Sequence, residues 1–293
     1  MKIIPSEVNT SVLHGYLLGA IAPRPICFAS TIDKDGNPNL SPFSFFNVFG
    51  SNPTTLIFSP ARKVRDNTIK HTLENIYETK EVVINVVNYA MVQQANLSSC
   101  EFAKDVDEFV KAGFTKLLSE KVKPFRVAES PVQMECIVRQ IIETGNQGGA
   151  GNLVICEIVA MHINDEVLDE TNRIDPHKID LVARMGADLY CRASGDAVFE
   201  VMKPNTKLGI GIDMLPPSIR NSHILNGNSL GMLANVSEIP SINPGFHDER
   251  LTQIIQYYSI SPEEMESELH SYAQQLLQIN NIDAAWQILL ASV

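Results

Sequence analysis

Residues 26–47 decide the fold: Ile26-Cys27-Phe28-Ala29-Ser30-Thr31-Ile32, then Asp33-Lys34-Asp35-Gly36-Asn37, then, after Pro38, Asn39-Leu40-Ser41-Pro42-Phe43-Ser44-Phe45-Phe46-Asn47. The first run is apolar and β-branched, the texture of a strand. Its Asp-Gly and Gly-Asn steps supply the positive φ angles of a tight hairpin, so a second strand should follow within a few residues. Working outward, Thr54 to Phe58, Glu81 to Val87, Val132 to Ile142 and Leu153 to Ile163 read the same way, as staves of an antiparallel sheet. His71 to Thr79 and Tyr89 to Ser99 instead carry helical spacing with good helix formers. Short helices that interrupt a meander predict a mainly β protein and disfavour a doubly wound parallel sheet.

The composition narrows the function classes. Hydrophobic residues make up 44% and charged residues 19% of 293, with no low-complexity tract, which describes an ordered globular chain. A net charge of −11 repels nucleic-acid backbones and anionic membranes, so any phosphate site must be a local cluster of donors. No apolar run approaches the roughly 18 residues of a membrane span, and the first residues lack the basic-then-apolar pattern of a secretory signal. The expected address is cytoplasmic, with no membrane or nucleic-acid partner. Five dispersed cysteines without a C-x-x-C pair suit free thiols, and the seven histidines show no metal-ligand spacing, so no metal is expected. Dinucleotide-fold, P-loop and G-x-S-x-G signatures are absent.

The texture changes near residue 206, which suggests a β domain over 1–205 and an irregular, helical extension over 206–293. Ser261-Pro262-Glu263-Glu264 reads as a capping box with proline at the first helical position, followed by Met265, Leu269, Tyr272, Ala273 and Leu276 on one face. Residues 240–293 hold seven acids against one base, a net of −6. A DNA-reading helix would need Lys or Arg toward phosphates, so a packing role on the β domain or on a partner subunit fits better.

Two clusters carry chemistry. Ser30, Thr31, Ser41, Ser44 and Asn47 place hydroxyls and an amide on two adjoining strands, with Phe43 and Phe46 as apolar walls. Such a set can meet a flat polar ring without adding charge, although the same hydroxyls also serve simply to close turns. Next, Ser59 precedes Arg62-Lys63-Val64-Arg65-Asp66-Asn67-Thr68-Ile69-Lys70-His71-Thr72, which holds four of the 23 basic residues within nine positions. A cationic loop opening a helix suits a terminal phosphate, and it equally describes a solvated loop.

Taken in order, several motifs resemble the flavin reductase-like, FMN-binding split-barrel family. They are Pro23-Arg24-Pro25, the Thr31 to Gly36 hairpin, Asn39 to Asn47, Lys70-x-Thr72-x-x-Asn75, and Arg184-x-Gly186-x-x-x-Tyr190. The likeness runs from Ala22 to about Ile163 and more weakly to Tyr190. It implies a Greek-key split barrel, a homodimer, and one FMN per subunit across the interface. Carried over, it puts Ser30, Thr31, Ser41, Phe43, Ser44 and Asn47 around the ring and ribityl chain, and Ser59, Arg62, Lys70 and Thr72 at the phosphate. The implied activity is hydride transfer from NAD(P)H to bound FMN and on to a flavin or other acceptor. A flavoredoxin-like electron carrier and a cofactor-free dimeric scaffold are the alternatives. The resemblance assigns no catalytic side chain. Where many members carry a Gly-Asp-His segment, this chain has Gly145-Asn146-Gln147-Gly148-Gly149-Ala150-Gly151-Asn152, whose glycines could let backbone approach a planar ligand and whose Asn152 could bond it; the same run reads equally as an ordinary flexible hairpin tip.

Overall fold

The Asp33 turn forms as its residues require. The Asp33 carboxylate accepts hydrogen bonds from the amides of Asp35 and Asn37, each at 2.9 Å, and Gly36 takes φ +89°, where a side chain would be strained. A computed structural model describes residues 1–203 and 208–291 of the chain, which divides into two compact units, Met1–Phe199 and Glu200–Val293.

In the first unit, helix α1 (Thr10–Ala20) precedes strands β1 (Cys27–Ile32), β2 (Pro38–Phe43), β3 (Phe46–Ser51) and β4 (Thr54–Phe58). After α2 (His71–Thr79) come β5 (Glu81–Val86), α3 (Val92–Leu97) and α4 (Glu108–Ala112). The stretch expected as one helix over Tyr89 to Ser99 is a 3-10 turn, Tyr89–Met91, followed by α3. A short ladder of β6 (Lys116–Leu117) with β7 (Arg126–Val127) leads to the long strands β8 (Val132–Glu143) and β9 (Asn152–Ile163). Last, β10 (Val182–Arg184) pairs with β11 (Tyr190–Arg192).

Seven strands make one antiparallel sheet in the order β2-β1-β5-β8-β9-β4-β3. Its two edges, β2 and β3, are consecutive in the chain and joined only by Ser44 and Phe45. Laid flat, seven strands would put those edges about 29 Å apart at a spacing of ~4.8 Å. The link from Phe43 to Phe46 reaches at most ~11 Å. The sheet is therefore rolled, and no ladder joins β2 to β3 among the described residues.

Burial on both faces explains the unbroken apolar run of β1. All six of its residues are buried, with Cys27 and Ala29 facing Phe58, Leu73 and Cys156, while Phe28 joins Leu40, Met91, Phe109 and Phe114. Helix α2 adds Leu73 and Ile76 to the first cluster, and α3 and α4 add Val92, Ala95 and Phe109 to the second.

The second unit is helical: α5 (Pro217–Arg220), α6 (Gly227–Ala234), α7 (Glu249–Tyr257), α8 (Pro262–Gln278) and α9 (Ile282–Leu290). Its core holds Trp286, Ile219, Leu233 and Leu269. Ser261 stands at the start of α8, but its side chain makes no capping bond, which corrects the capping box. Proline in the first turn and the early acids Glu263 and Glu264 are what favour the start. Among the described residues no helix is long and apolar enough to cross a membrane.

Glu135 on β8 is a fully buried carboxylate. It accepts the amides of Glu120 at 2.9 Å, Lys121 at 2.6 Å and Val122 at 3.2 Å, and its Oε1 lies 2.7 Å from His162 Nε2. Burial pushes its pKa up, and these amides with His162 pull it down further, leaving it below the ordinary carboxylate value. A depressed folded-state pKa adds stability that is present above the unfolded value of about 4.3 and lost as pH falls through the folded one. Glu135→Gln should therefore cost about 2–3 kcal/mol at pH 7 and flatten the stability profile below about pH 4.5, measured by urea unfolding across pH.

Candidate functional site

The end of the basic loop and the start of α2 open one wall of a cleft. Lys70 is the N-cap of α2, and its side chain makes no capping bond. Leu73 N donates to Lys70 O at 2.9 Å, and the amides of His71 and Thr72 stay available to an anion among the described residues. The cavity there is lined by Asn39 and Ser41 of β2, Lys63, Lys70, Thr72 and Glu101 among others. Among the described residues the Lys70 ammonium makes neither a hydrogen bond nor an ion pair, while its backbone carbonyl accepts from Leu73 N at 2.9 Å. Burial, then the nearby Lys63 charge, lowers its pKa, while Glu101 opposes the shift. Two cations held close in this way favour an anion between them.

The floor is a polar relay. Asn39 Nδ2 donates to Thr72 Oγ1 at 2.8 Å and lies 3.4 Å from Thr31 Oγ1, which also accepts from Asn75 Nδ2 at 3.1 Å. With Asn39 donating to it, the Thr72 hydroxyl keeps its own proton for a ligand. The sequence motif Lys70-x-Thr72-x-x-Asn75 thus spans the rim and its support, one helical turn apart.

A second cavity of about 330 Å³ adjoins the first. Ser41 lines one and Pro42 the other, and Ser98 and Cys100 flank Ser99 in the same alternation. Its walls include Phe43, Ser44, Asn96, Arg184 and Tyr190. Arg184 stacks over the Tyr190 ring at 4.6 Å, and the Tyr190 hydroxyl donates to Asn96 Oδ1 at 3.3 Å. Phe43 packs on Phe58 at 5.6 Å between ring centroids. A further cavity shares Asn96, Arg184 and Tyr190 and extends the groove to Tyr89 and Arg192. The buried Arg24 braces this region from behind. Its guanidinium donates to the carbonyls of Leu18, Ile21 and Met185, and its backbone exchanges hydrogen bonds with Arg184 at 2.9 Å.

Of the ten residues singled out in the sequence, Ser41, Lys70 and Thr72 line the first cavity, and Phe43 and Ser44 line the second. Ser30 and Thr31 are fully buried on β1, Thr31 within the relay and Ser30 Oγ without a hydrogen-bond partner among the described residues. Asn47, Ser59 and Arg62 lie outside both cavities. Asn47 Oδ1 accepts the Val48 amide at 2.8 Å, and Ser59 Oγ accepts the Asn152 amide at 3.0 Å. Arg62 donates to Asn67 through Nε at 2.7 Å and through its NH2 nitrogen at 2.8 Å, so Lys63 and not Arg62 joins Lys70 in lining the cavity.

The Gly145–Asn152 segment also differs from expectation. It clamps the basic loop: Arg62 N donates to Ala150 O at 2.9 Å, Gly149 N to Arg62 O at 3.0 Å, and Asn67 Nδ2 to Asn146 O at 3.0 Å. Asn152 is buried outside both cavity linings, and its side chain donates to Pro60 O at 2.8 Å. Glycine is needed at 148 because a Cβ there would sit 2.9 Å from Val64 O and 3.0 Å from Lys63 O. Glu101 and Glu108, both lining the first cavity, went unnoticed in the sequence; their segment carries no motif, and only folding brings it to the cleft.

Residues 19–181 match the flavin reductase like domain. The chain belongs to this family. Three solved structures resemble it closely over most of their length. Nitrilotriacetate monooxygenase component B from Bacillus cereus is 27% identical with a TM-score of 0.64, covering 69% of this chain and 98% of its own. The 2-nitrobenzoate 2-nitroreductase of Pseudomonas fluorescens is 25% identical with a TM-score of 0.63, covering 72% and 100%. A Shewanella frigidimarina structure described by its split barrel domain is 27% identical with a TM-score of 0.58, covering 68% and 95%. The family match lies wholly within the first unit.

Gly148→Ala tests the clamp. Overpacking against the Lys63 and Val64 carbonyls should cost about 1–3 kcal/mol in chemical denaturation and speed tryptic cleavage at Arg62, Lys63 and Arg65.

Proposed function

We propose that the first unit is a Greek-key split barrel that binds FMN and acts as an NAD(P)H-dependent oxidoreductase of the flavin reductase type. The observation that carries this reading is the pairing of two adjoining cavities. One offers Lys63, a Lys70 ammonium without a partner among the described residues, the Thr72 and Ser41 hydroxyls and the His71 and Thr72 amides; the other is walled by Phe43, Tyr190 and Arg184. The donor set of the first suits a phosphate monoester, and the second falls in the size range of about 300–1,000 Å³ typical of small-molecule sites.

Lys63, Lys70 and Thr72 would hold the phosphate, Ser41 and Ser44 would meet the ribityl chain and ring edge, and Phe43 would exclude water from one face. Bound FMN would supply hydride and electron transfer between NAD(P)H and a flavin or other acceptor. The protein's share is binding and orientation by neutral donors. The cavity that continues past Asn96 to Tyr89 and Arg192 leaves room for a second substrate. Likeness to a monooxygenase component and a nitroreductase supports redox chemistry over a scaffold role. Exposed apolar residues on α1, among them Val12, Tyr16 and Leu17, and on β3, Val48 at 61% and Phe49 at 63%, support a homodimer that covers them.

The test is an absorption spectrum after FMN addition, followed by stopped-flow mixing with NADH and with NADPH. Bleaching of the flavin bands is expected. Bound but unbleached flavin would leave an electron carrier, and failure to take up FMN would sink the reading. Replacing Lys70 and Thr72 together by Ala should weaken FMN binding about 10- to 100-fold while leaving riboflavin affinity unchanged, measured by fluorescence titration.

A further inference from the structure

One cation of the first cavity, Lys63, already has an anion. Between α3 and α4 the chain brings Glu101 to the cleft, where its Oε1 lies 3.3 Å from Lys63 Nζ and its Oε2 lies 2.9 Å from the Arg65 NH2 nitrogen. Glu101 lines the same cavity as Lys63, Lys70 and Thr72. Its side chain is 46% exposed, so these pairs are weakly held and easily exchanged. The other carboxylate of the cavity, Glu108, is 5% exposed and tied to the Leu40 amide at 3.1 Å, so it is fixed in place.

A phosphate monoester carries about −1.5 to −2 charges. Entering between Lys63 and Lys70, it competes with Glu101 for Lys63 and meets the Glu101 charge. On the reading that the FMN phosphate occupies this cavity, we propose that Glu101 is a built-in competitor for it. The carboxylate neutralises Lys63 before the ligand enters and yields it to the phosphate, while Arg65, outside the cavity, keeps hold of the carboxylate; this keeps phosphate affinity low enough for FMN to exchange. The protein then handles FMN as a diffusible ligand, taken up and released, rather than as a permanently held group. A flavin without phosphate does not engage this device.

Glu101→Gln keeps the shape and removes the charge. Titrations of the full-length protein with FMN and with riboflavin, followed by flavin fluorescence, should show FMN bound about tenfold more tightly by the variant and riboflavin unchanged. FMN release on dilution should slow by a similar factor, and inorganic phosphate should bind the flavin-free variant about tenfold more tightly than the flavin-free wild-type protein. Unchanged or weakened FMN binding would overturn the proposal. Equal tightening of both flavins would also overturn it, because that pattern reports a loosened segment and not a removed charge. If neither flavin binds either protein while both keep the wild-type circular dichroism spectrum, the flavin reading itself fails and takes this proposal with it. That outcome is distinct from FMN binding that ignores the substitution.

Discussion

A two-residue link between the opposite edges of a seven-stranded sheet is the constraint on which the first unit depends. Ser44 and Phe45 must join β2 to β3, so the sheet rolls, and its order places β1, β5 and β8 between β2 and the strands β9 and β4. Rolling wraps the apolar faces of β1, β4, β5, β8 and β9 around Phe58, Leu73 and Ile84. It also leaves β2 as an edge strand, where Pro42 costs no ladder hydrogen bond. The residues before and after that proline, Ser41 and Phe43, each line one of the two cavities.

Charge is then distributed against that frame in two distinct ways. Glu135, fully buried, is surrounded by three amides and His162 and acts as a fixed strut for the 120–122 turn. Glu101, half in water, bridges Lys63 and Arg65 through contacts that solvent screens. Burial separates these roles: the same carboxylate is structural where water is excluded and exchangeable where it is not. In a chain of net charge −11, the cations that matter are those held close to each other with too few internal partners, and Lys70 is the clearest of them.

The glycine-rich segment shows how one local pattern can serve different ends. Four glycines do permit close backbone approach, and the backbone that approaches is the chain's own, at Lys63 and Val64. Ser59 and Asn152 bind each other's neighbourhood for the same reason, since β4 and β9 are paired and their ends must be joined to the loop above. Arg62 is likewise consumed by Asn67. Polar residues near a site are shared between building the site and lining it, and spacing along the chain does not say which.

Local physics was legible in the residues themselves. Period and β-branching marked β1, β4, β5, β8 and β9 to within one or two residues, the Asp-Gly turn marked the hairpin, and helical spacing marked α2 over His71–Thr79. Five of the residues the linked motifs named, Ser41, Phe43, Ser44, Lys70 and Thr72, line the two cavities, because strand ends and a helix start carry their own chemical signatures. Tertiary structure alone decided that Lys63 and not Arg62 faces the cavity, that Asn39 relays Thr31 to Thr72, and that Glu101 reaches the cations. Those outcomes depend on distances between segments far apart in the chain, and such distances exist only once the sheet has rolled.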